Sequence, residues 1–226
     1  MIPWEHLGSA SVPDNGGELR LLRRGSEFSI MAGSIELMNS RLFGSEEALA
    51  GLAFERIKSR PAPRVLIGGL GMGFTLRAAL AAAPTDAAVV VAELVPEVVA
   101  WARGPLAEVF GGCLDDPRAS VEVGDVAALI AAGPEAWDAI LLDVDNGPEG
   151  LTRRANDRLY DQAGLAAAQA ALRPGGVLAV WSSAPDAGFT KRLKTSGFAV
   201  DEVQVRARNV KRGARHVVWI AVRPSR

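Results

Sequence analysis

From Arg64 onward, short apolar runs alternate with segments whose apolar residues recur at helical spacing. Strands that alternate with helices are typical of a mainly parallel sheet covered by helices on both faces. We therefore predict a doubly wound α/β fold with a seven-stranded sheet. The predicted strands are 64–69, 87–94, 119–125, 137–144, 177–183, 199–207 and 215–223. Only a turn-rich stretch separates the last two strands, so they should close the sheet as an antiparallel hairpin.

The first sixty residues have a different pattern. Residues 18–40 resemble two or three short strands joined by glycine-containing turns, and a helical pattern follows at 45–59 with Ser45 as its expected N-cap. We therefore predict a small N-terminal β segment, residues 1–44, ahead of a ligand-binding α/β domain, residues 45–226.

Composition narrows the function classes further. The 226 residues are 49% hydrophobic with a formal net charge of −1, which fits one large domain and disfavours binding of nucleic acid by bulk electrostatics. The single cysteine, Cys113, has no partner for an internal disulfide. No apolar stretch is long enough to span a membrane, and the N-terminus lacks the pattern of a signal peptide. We expect a soluble cytoplasmic protein.

A dense group of glycines follows the first strand of the α/β region, in the stretch "RVLIGGLGMGFTLRAAL". A strand that passes through a glycine turn into a helix brings backbone N–H groups and a helix N-terminus against a ligand. The spacing Gly69-x-Gly71-x-Gly73 differs from the G-x-G-x-x-G of dinucleotide enzymes, because the third glycine comes one residue early. A tight turn without a ligand is the alternative explanation.

Carboxylates stand where the next two predicted strands end. Glu93 ends the second strand, where a carboxylate can accept hydrogen bonds from both hydroxyls of a ribose. Asp125 ends the third strand, where it could accept the amino group of an adenine or simply cap the following helix. The glycine turn together with Glu93 predicts a ligand that contains adenosine.

Two further acids, Asp143 and Asp145, follow the buried fourth strand in "AILLDVDNGPEG". An acid that emerges from an apolar strand at the ligand edge of the sheet is costly unless it is used, so both are candidate catalytic residues. Together with Asn146 they could bind Mg²⁺, but the sequence offers no further ligands from other loops. We predict that the protein holds no metal.

These stretches, in this order, resemble the Rossmann-like class I S-adenosylmethionine-dependent methyltransferase fold and, within it, the spermidine synthase family. The resemblance covers about residues 18–223. Three further stretches carry it, namely "VVVAELVPEVVAWAR", "VEVGD" and "LYDQAGLAAAQAALRPGGVLAV". It implies S-adenosylmethionine or its decarboxylated form as the cosubstrate. The residues that it would place against the cosubstrate are Gly69, Gly71 and Gly73 at the amino-acid end, Glu93 at the ribose, Asp125 at the adenine, and Asp143.

By the same resemblance, Asp143 would match the acid that helps to deprotonate and orient the attacking amine. The family's glycine loop, G-G-G-D-G-G, usually carries an aspartate, whereas here Leu70 and Met72 stand between the glycines. The family's Tyr-His-Glu stretch is missing. Asn146 stands at the position of the second acid of its "Asp-Ser-x-Asp-Pro" box, and the neighbouring Asp145 is a candidate to replace that acid.

The missing aspartate of the glycine loop affects the predicted reaction. Decarboxylated S-adenosylmethionine and a polyamine are both cations, and burying them together needs carboxylates to balance their charge. We therefore favour methyl transfer onto a small-molecule acceptor, although Glu46, Glu47 or Glu149 could supply the missing charge. Aminopropyl transfer to a diamine is the alternative, and a non-catalytic nucleotide-binding module or a nicotinamide-dependent oxidoreductase remains open. Tyr160 and Trp181 could offer aromatic faces to a sulfonium. An exposed edge of the N-terminal segment would suit a homodimer.

Overall fold

The computed structural model describes residues 2–13, 16–144, 148, 156–207 and 214–225. Its first sheet is an antiparallel meander in the order β1-β2-β3-β4. The strands are β1 (Glu5–Ser11), β2 (Glu18–Arg24), β3 (Glu27–Ala32) and β4 (Ile35–Asn39). The sequence predicted β2 to β4 but not β1. Within β1 only Ala10 is buried, so this strand carries no alternation of apolar and polar positions to reveal it.

The second sheet has the seven predicted strands in the order β10-β11-β9-β8-β5-β6-β7. They are β5 (Arg64–Gly68), β6 (Ala88–Glu93), β7 (Ala119–Val123), β8 (Trp137–Leu142), β9 (Leu172–Ser182), β10 (Ala199–Arg206) and β11 (Arg215–Val222). Strands β5 to β9 pair in parallel, and β10 and β11 form the predicted antiparallel hairpin at the edge. The predicted doubly wound fold is confirmed. The direction of strand order reverses between β5 and β8.

Eight α-helices lie within the described residues: α1 (Gly44–Ile57), α2 (Phe74–Ala82), α3 (Pro96–Arg103), α4 (Ala107–Phe110), α5 (Val126–Ala131), α6 (Asp157–Tyr160), α7 (Gln162–Ala171) and α8 (Ala187–Thr195). A 3₁₀ turn lies at Cys113–Asp115. The expectation for Ser45 was wrong, because α1 begins at Gly44 with Phe43 at the N-cap position. None of the described helices is long and apolar enough to cross a lipid bilayer.

The central strands carry the core of the α/β region. Every residue of β8 is buried, including Asp138, which lies near the amino end of the strand. Asp138 accepts hydrogen bonds from Arg60 Nη1 at 2.7 Å, Arg173 Nη1 at 2.8 Å and the backbone N–H of Arg64 at 2.8 Å. A buried carboxylate is tolerated when it is paired in this way. The network therefore ties the segment after α1 to β5, β8 and β9 at the end of the sheet opposite the candidate site.

Candidate active site

The glycine turn lies at the reversal of strand order, where open α/β sheets bind their ligands. Gly69 has φ +92°, and a Cβ atom there would lie 2.4 Å from the carbonyl oxygen of Asp143. The N–H of Asp143 donates to the carbonyl of Gly68 at 3.0 Å. Glycine is therefore required at position 69 so that the ends of β5 and β8 can come together.

The other two glycines of the turn are also in the left-handed region but have different neighbours. Gly71 has φ +51°, and a Cβ atom there would lie 2.8 Å from Sδ of Met38 in β4. Gly73 has φ +79°, and a Cβ atom there would lie 2.5 Å from the ring of Phe110. Gly69 and Gly71 line a cavity, whereas Gly73 is not among the residues lining the two cavities beside the turn. Backbone conformation and packing explain Gly73, and its contact with a cosubstrate stays a prediction.

The larger cavity beside the turn has a volume of about 140 Å³. The carboxyl ends of β5 to β8 form one wall, and the N-terminal sheet forms the facing wall. Three predicted acids lie in its lining, namely Glu93, Asp125 and Asp143. The N-terminal sheet contributes apolar side chains, which are Leu19, Ile30, Ala32, Leu37 and Met38. An apolar cavity with a few convergent polar groups is the usual form of a small-molecule site.

Glu93 is buried at the end of β6 and braces the glycine turn. Its carboxylate accepts the backbone N–H of Leu70 at 2.9 Å and that of Val95 at 2.9 Å. Burial raises the pKa of Glu93, and the backbone hydrogen bonds oppose that rise. The residue therefore fixes the turn from within, while its place in the cavity lining is compatible with the predicted contact to a ribose.

Asp125 combines two of the predicted features. Its Oδ1 accepts the N–H of Ala127 at 2.8 Å, which makes it the N-cap of α5. Its Oδ2 forms an ion pair with Arg158 of α6. Asp125 also lies in the cavity lining. An adenine amino group that donates to this carboxylate would therefore do so beside the guanidinium of Arg158, which is already paired with it. The contact with adenine stays a prediction.

Asp143 lies where the two cavities beside the turn meet, and it lines both. Thr75, in the first turn of α2, donates its hydroxyl to Oδ2 of Asp143 at 2.6 Å. Burial raises the pKa of Asp143 to about 6, and the hydrogen bond from Thr75 opposes that rise. An acid with a pKa near neutrality is suited to exchanging protons with a ligand. Asp145, the second predicted catalytic acid, lies outside the described residues.

A smaller cavity, of about 60 Å³, opens beside Asp143 and holds a second carboxylate, that of Glu46 in the first turn of α1. Burial and then the negative charge of Asp143 raise the pKa of Glu46 to about 7, while the hydrogen bond from Ser45 opposes the rise. The remaining residues that line this cavity are Leu37, Met38, Leu70, Gly71, Met72, Phe74 and Trp181. Two carboxylates among apolar side chains are suited to binding a cation.

The sequence named Glu46 only as one of three acids that could replace the lost charge. Its position in the first turn of a helix has an ordinary explanation, because acids are favourable near a helix N-terminus. Nothing in the local pattern shows that this turn lies beside the end of β8. Glu46 is therefore a site residue that only the structure identifies.

The two aromatic residues proposed for a sulfonium differ in their position. Trp181 lines the smaller cavity, and its buried indole N–H has no hydrogen-bond partner among the described residues. Tyr160 is buried, packs edge-on against Phe189 with ring centroids 5.6 Å apart, and lines neither cavity. Trp181 is therefore available to a ligand, whereas packing accounts for Tyr160.

No family model matches the chain. Polyamine aminopropyltransferase 2 of Pseudomonas aeruginosa is 37% identical over 122 residues, which is 51% of this chain and 32% of that protein. The polyamine aminopropyltransferase of Mycobacterium tuberculosis is 28% identical over 198 residues, which is 83% of this chain and 36% of that protein. The chain thus spans about a third of the length of these curated relatives.

Solved structures show the same fold. Spermidine synthase from Thermotoga maritima superposes with a TM-score of 0.77 at 20% identity, over 98% of this chain and 74% of that one. A spermidine synthase in complex with the transition-state analogue AdoDATO superposes with a TM-score of 0.76 at 19% identity, over 98% of this chain and 73% of that one. Human methyltransferase-like protein 13, in complex with SAH, superposes with a TM-score of 0.58 at 21% identity, over 78% of this chain and 81% of that one. In sequence and in fold, the chain is similar to the spermidine synthase-like branch of the class I S-adenosylmethionine-dependent superfamily.

Proposed function

We propose that the chain transfers an aminopropyl group from decarboxylated S-adenosylmethionine to a small amine. One structural observation carries the proposal, namely that Glu46 and Asp143 line the same small cavity beside the glycine turn. An ammonium or sulfonium ion is expensive to bury without carboxylates, and this enclosure supplies two of them. The similarity to proteins named polyamine aminopropyltransferase supports the same donor and acceptor class.

The proposal replaces the preference for methyl transfer that the sequence suggested. That preference rested on Leu70 and Met72, which stand where the family's glycine loop usually carries an acid. Glu46 supports a different interpretation, because it brings a negative charge to the same turn from α1. The similarity to methyltransferase-like protein 13 is one of fold alone and does not favour a methyl donor.

The larger cavity suits the adenosyl part of the donor. The backbone of Gly69 and Gly71 forms the lining where the donor's side chain would lie, Glu93 would accept the ribose hydroxyls, and Asp125 would lie beside the adenine. The apolar side chains of the N-terminal sheet would cover the bound nucleoside and exclude water from it.

The chemistry that these residues must support is an in-line displacement. The donor supplies a carbon activated by an adjacent sulfonium; the amine lone pair bonds to this carbon, and the sulfur keeps the electrons of the broken C–S bond. Asp143 and Glu46 would hold the acceptor as an ammonium and remove one proton, so that its nitrogen gains a lone pair. With pKa values of about 6 and about 7, both carboxyl groups can take up and release a proton near neutral pH.

Calorimetric titration with decarboxylated and ordinary S-adenosylmethionine, followed by product analysis with putrescine, tests the proposal. We expect tighter binding of the decarboxylated donor and release of methylthioadenosine. Glu46→Gln should weaken that binding, whereas Glu47→Gln, one position along the same helix, should not. Tighter binding of the ordinary donor with release of S-adenosylhomocysteine would establish methyl transfer instead, and binding of neither donor would refute a transferase.

A further inference from the structure

We propose that Ser45 and His216 form a proton relay that connects Glu46 with solvent. The inference rests on the proposed function, because it concerns the proton that an acceptor amine must lose there. Ser45, which is fully buried, donates its hydroxyl to Oε2 of Glu46 at 2.7 Å. The same hydroxyl lies 2.8 Å from Nδ1 of His216. The three side chains thus form a continuous hydrogen-bonded chain that begins in the smaller cavity.

The relay joins two distant parts of the sequence. Ser45 and His216 are 171 positions apart, and the contact forms where the first turn of α1 meets β11. Because Phe43 occupies the N-cap position, the hydroxyl of Ser45 is not used to cap α1. The ring of His216 packs edge-on against Trp181, with centroids 4.9 Å apart and an interplanar angle of 80°. This packing holds the imidazole in place against Ser45.

The chain of hydrogen bonds has two arrangements that differ by one proton. When Glu46 is ionised, Ser45 donates to Glu46 and the Nδ1–H of His216 donates to Ser45. When Glu46 is protonated, Glu46 donates to Ser45, Ser45 donates to Nδ1, and the histidine proton is on Nε2. Passing from the second arrangement to the first moves a proton along each link and releases the Nε2 proton to water. Exchange with water at the half-buried ring and rotation of the hydroxyl restore the starting tautomer.

The charges around the relay suit the uptake of a proton by Glu46, and the neutral ring of His216 suits its onward transfer. Glu46 is close to the negative charges of Asp143 and Glu47, both of which raise its pKa and favour its taking a proton. Burial lowers the pKa of His216, so its ring is neutral at pH 7 and can accept the proton of Ser45. Across the β10–β11 pairing, His216 is opposite the apolar Val205.

The overall reaction releases one proton, for which the relay offers an exit while the acceptor fills the cavity. An acceptor that enters as an ammonium must lose one proton before its nitrogen attacks, and the new C–N bond then makes that nitrogen a cation again. Each turnover therefore leaves one proton behind in the site. A proton retained on Glu46 would remove one of the two negative charges that hold the next acceptor. The relay returns Glu46 to its ionised form.

Histidine NMR tests the relay without any substrate. In protein labelled with ¹⁵N-histidine, the tautomer of His216 should change from Nε2–H to Nδ1–H as the pH rises through about 7, the pKa of Glu46. Glu46→Gln and Ser45→Ala should each abolish the change. His6, the other histidine of the chain, is identified by its loss in His6→Gln. A tautomer that is the same at every pH, or that changes equally in Glu46→Gln, would overturn the relay.

Kinetics with the decarboxylated donor and putrescine give the second test. We expect His216→Gln to lower kcat about tenfold with little change in KM, which is less than the loss typical of removing a general base itself. Added imidazole should restore turnover in His216→Ala, while His6→Ala should behave like wild type. An unchanged kcat in His216→Gln would contradict the relay. A wild-type protein inactive with either donor would refute the proposed function, and the NMR titration would still decide the relay.

Discussion

Replacing Glu46 by glutamine should stabilise the protein at alkaline pH and at the same time impair its function. The structure partly buries this carboxyl beside Asp143, and its pKa rises from 4.5 to about 7. A carboxyl group whose pKa is higher in the folded state stabilises the fold fully below the unfolded pKa, and this contribution is lost as the pH rises through the folded pKa. Above about pH 7, the wild type has therefore lost the contribution of Glu46.

The size of the effect follows from the two pKa values. Their difference is 7 minus 4.5, or about 2.5, and each pH unit corresponds to about 1.4 kcal/mol. For an isolated group this gives about 3.5 kcal/mol. The side chain is partly exposed and shares its shift with Asp143, so we expect about 2 kcal/mol. Glutamine is neutral at every pH and retains an oxygen that can accept the hydroxyl of Ser45.

Urea denaturation at pH 5 and pH 8.5 measures this difference. We expect the free energy of unfolding of Glu46→Gln to exceed that of wild type by about 2 kcal/mol at pH 8.5, with most of the gain absent at pH 5. Glu47→Gln removes the same charge from the neighbouring position and is the matched control. An equal effect at both pH values, or a destabilised variant at pH 8.5, would refute the reasoning.

The same variant should bind the decarboxylated donor at least tenfold more weakly, because one of the two carboxylates facing the cation is gone. Isothermal titration calorimetry at pH 8.5 measures the Kd of the donor for the variant and for wild type. Greater stability together with weaker binding would identify Glu46 as a residue that destabilises the fold and is needed by the site. Unchanged binding would show that the cation does not depend on Glu46.

Three further predictions concern the surroundings of the site. Thr75→Val removes the hydroxyl that lowers the pKa of Asp143, so the acidic limb of the pH profile of kcat/KM should move from about pH 6 to higher pH. An acidic limb at the same pH as in wild type would show that it does not report the titration of Asp143. Gly71→Ala should cost roughly 1–3 kcal/mol in thermal unfolding, because φ is +51° and the new Cβ would meet Met38, and Met38→Ala should recover only the steric part. Asp138→Asn should cost about 3 kcal/mol by removing the buried charge that pairs with Arg60 and Arg173, while donor affinity measured by calorimetry stays unchanged.

The alternation of strands and helices was enough to predict the seven-stranded sheet, because each element buries a face whose period can be read along the chain. The positions of the acids followed from the same pattern. Glu93, Asp125 and Asp143 lie at or within two residues of the carboxyl ends of parallel strands, and these ends meet at one edge of the sheet. The sequence by itself therefore located the larger cavity and most of its polar lining.

The tertiary structure alone decided which distant side chains meet. Glu46 and Asp143 share a cavity, and Ser45 contacts His216, because α1 packs across the ends of strands that come much later in the chain. No local periodicity contains that information, since it depends on how side chains fill the space between elements. The structure also shows that Gly73 is required by the ring of Phe110. Local patterns thus determined the elements and the edge where a ligand would bind, while packing determined the charges that the ligand would meet.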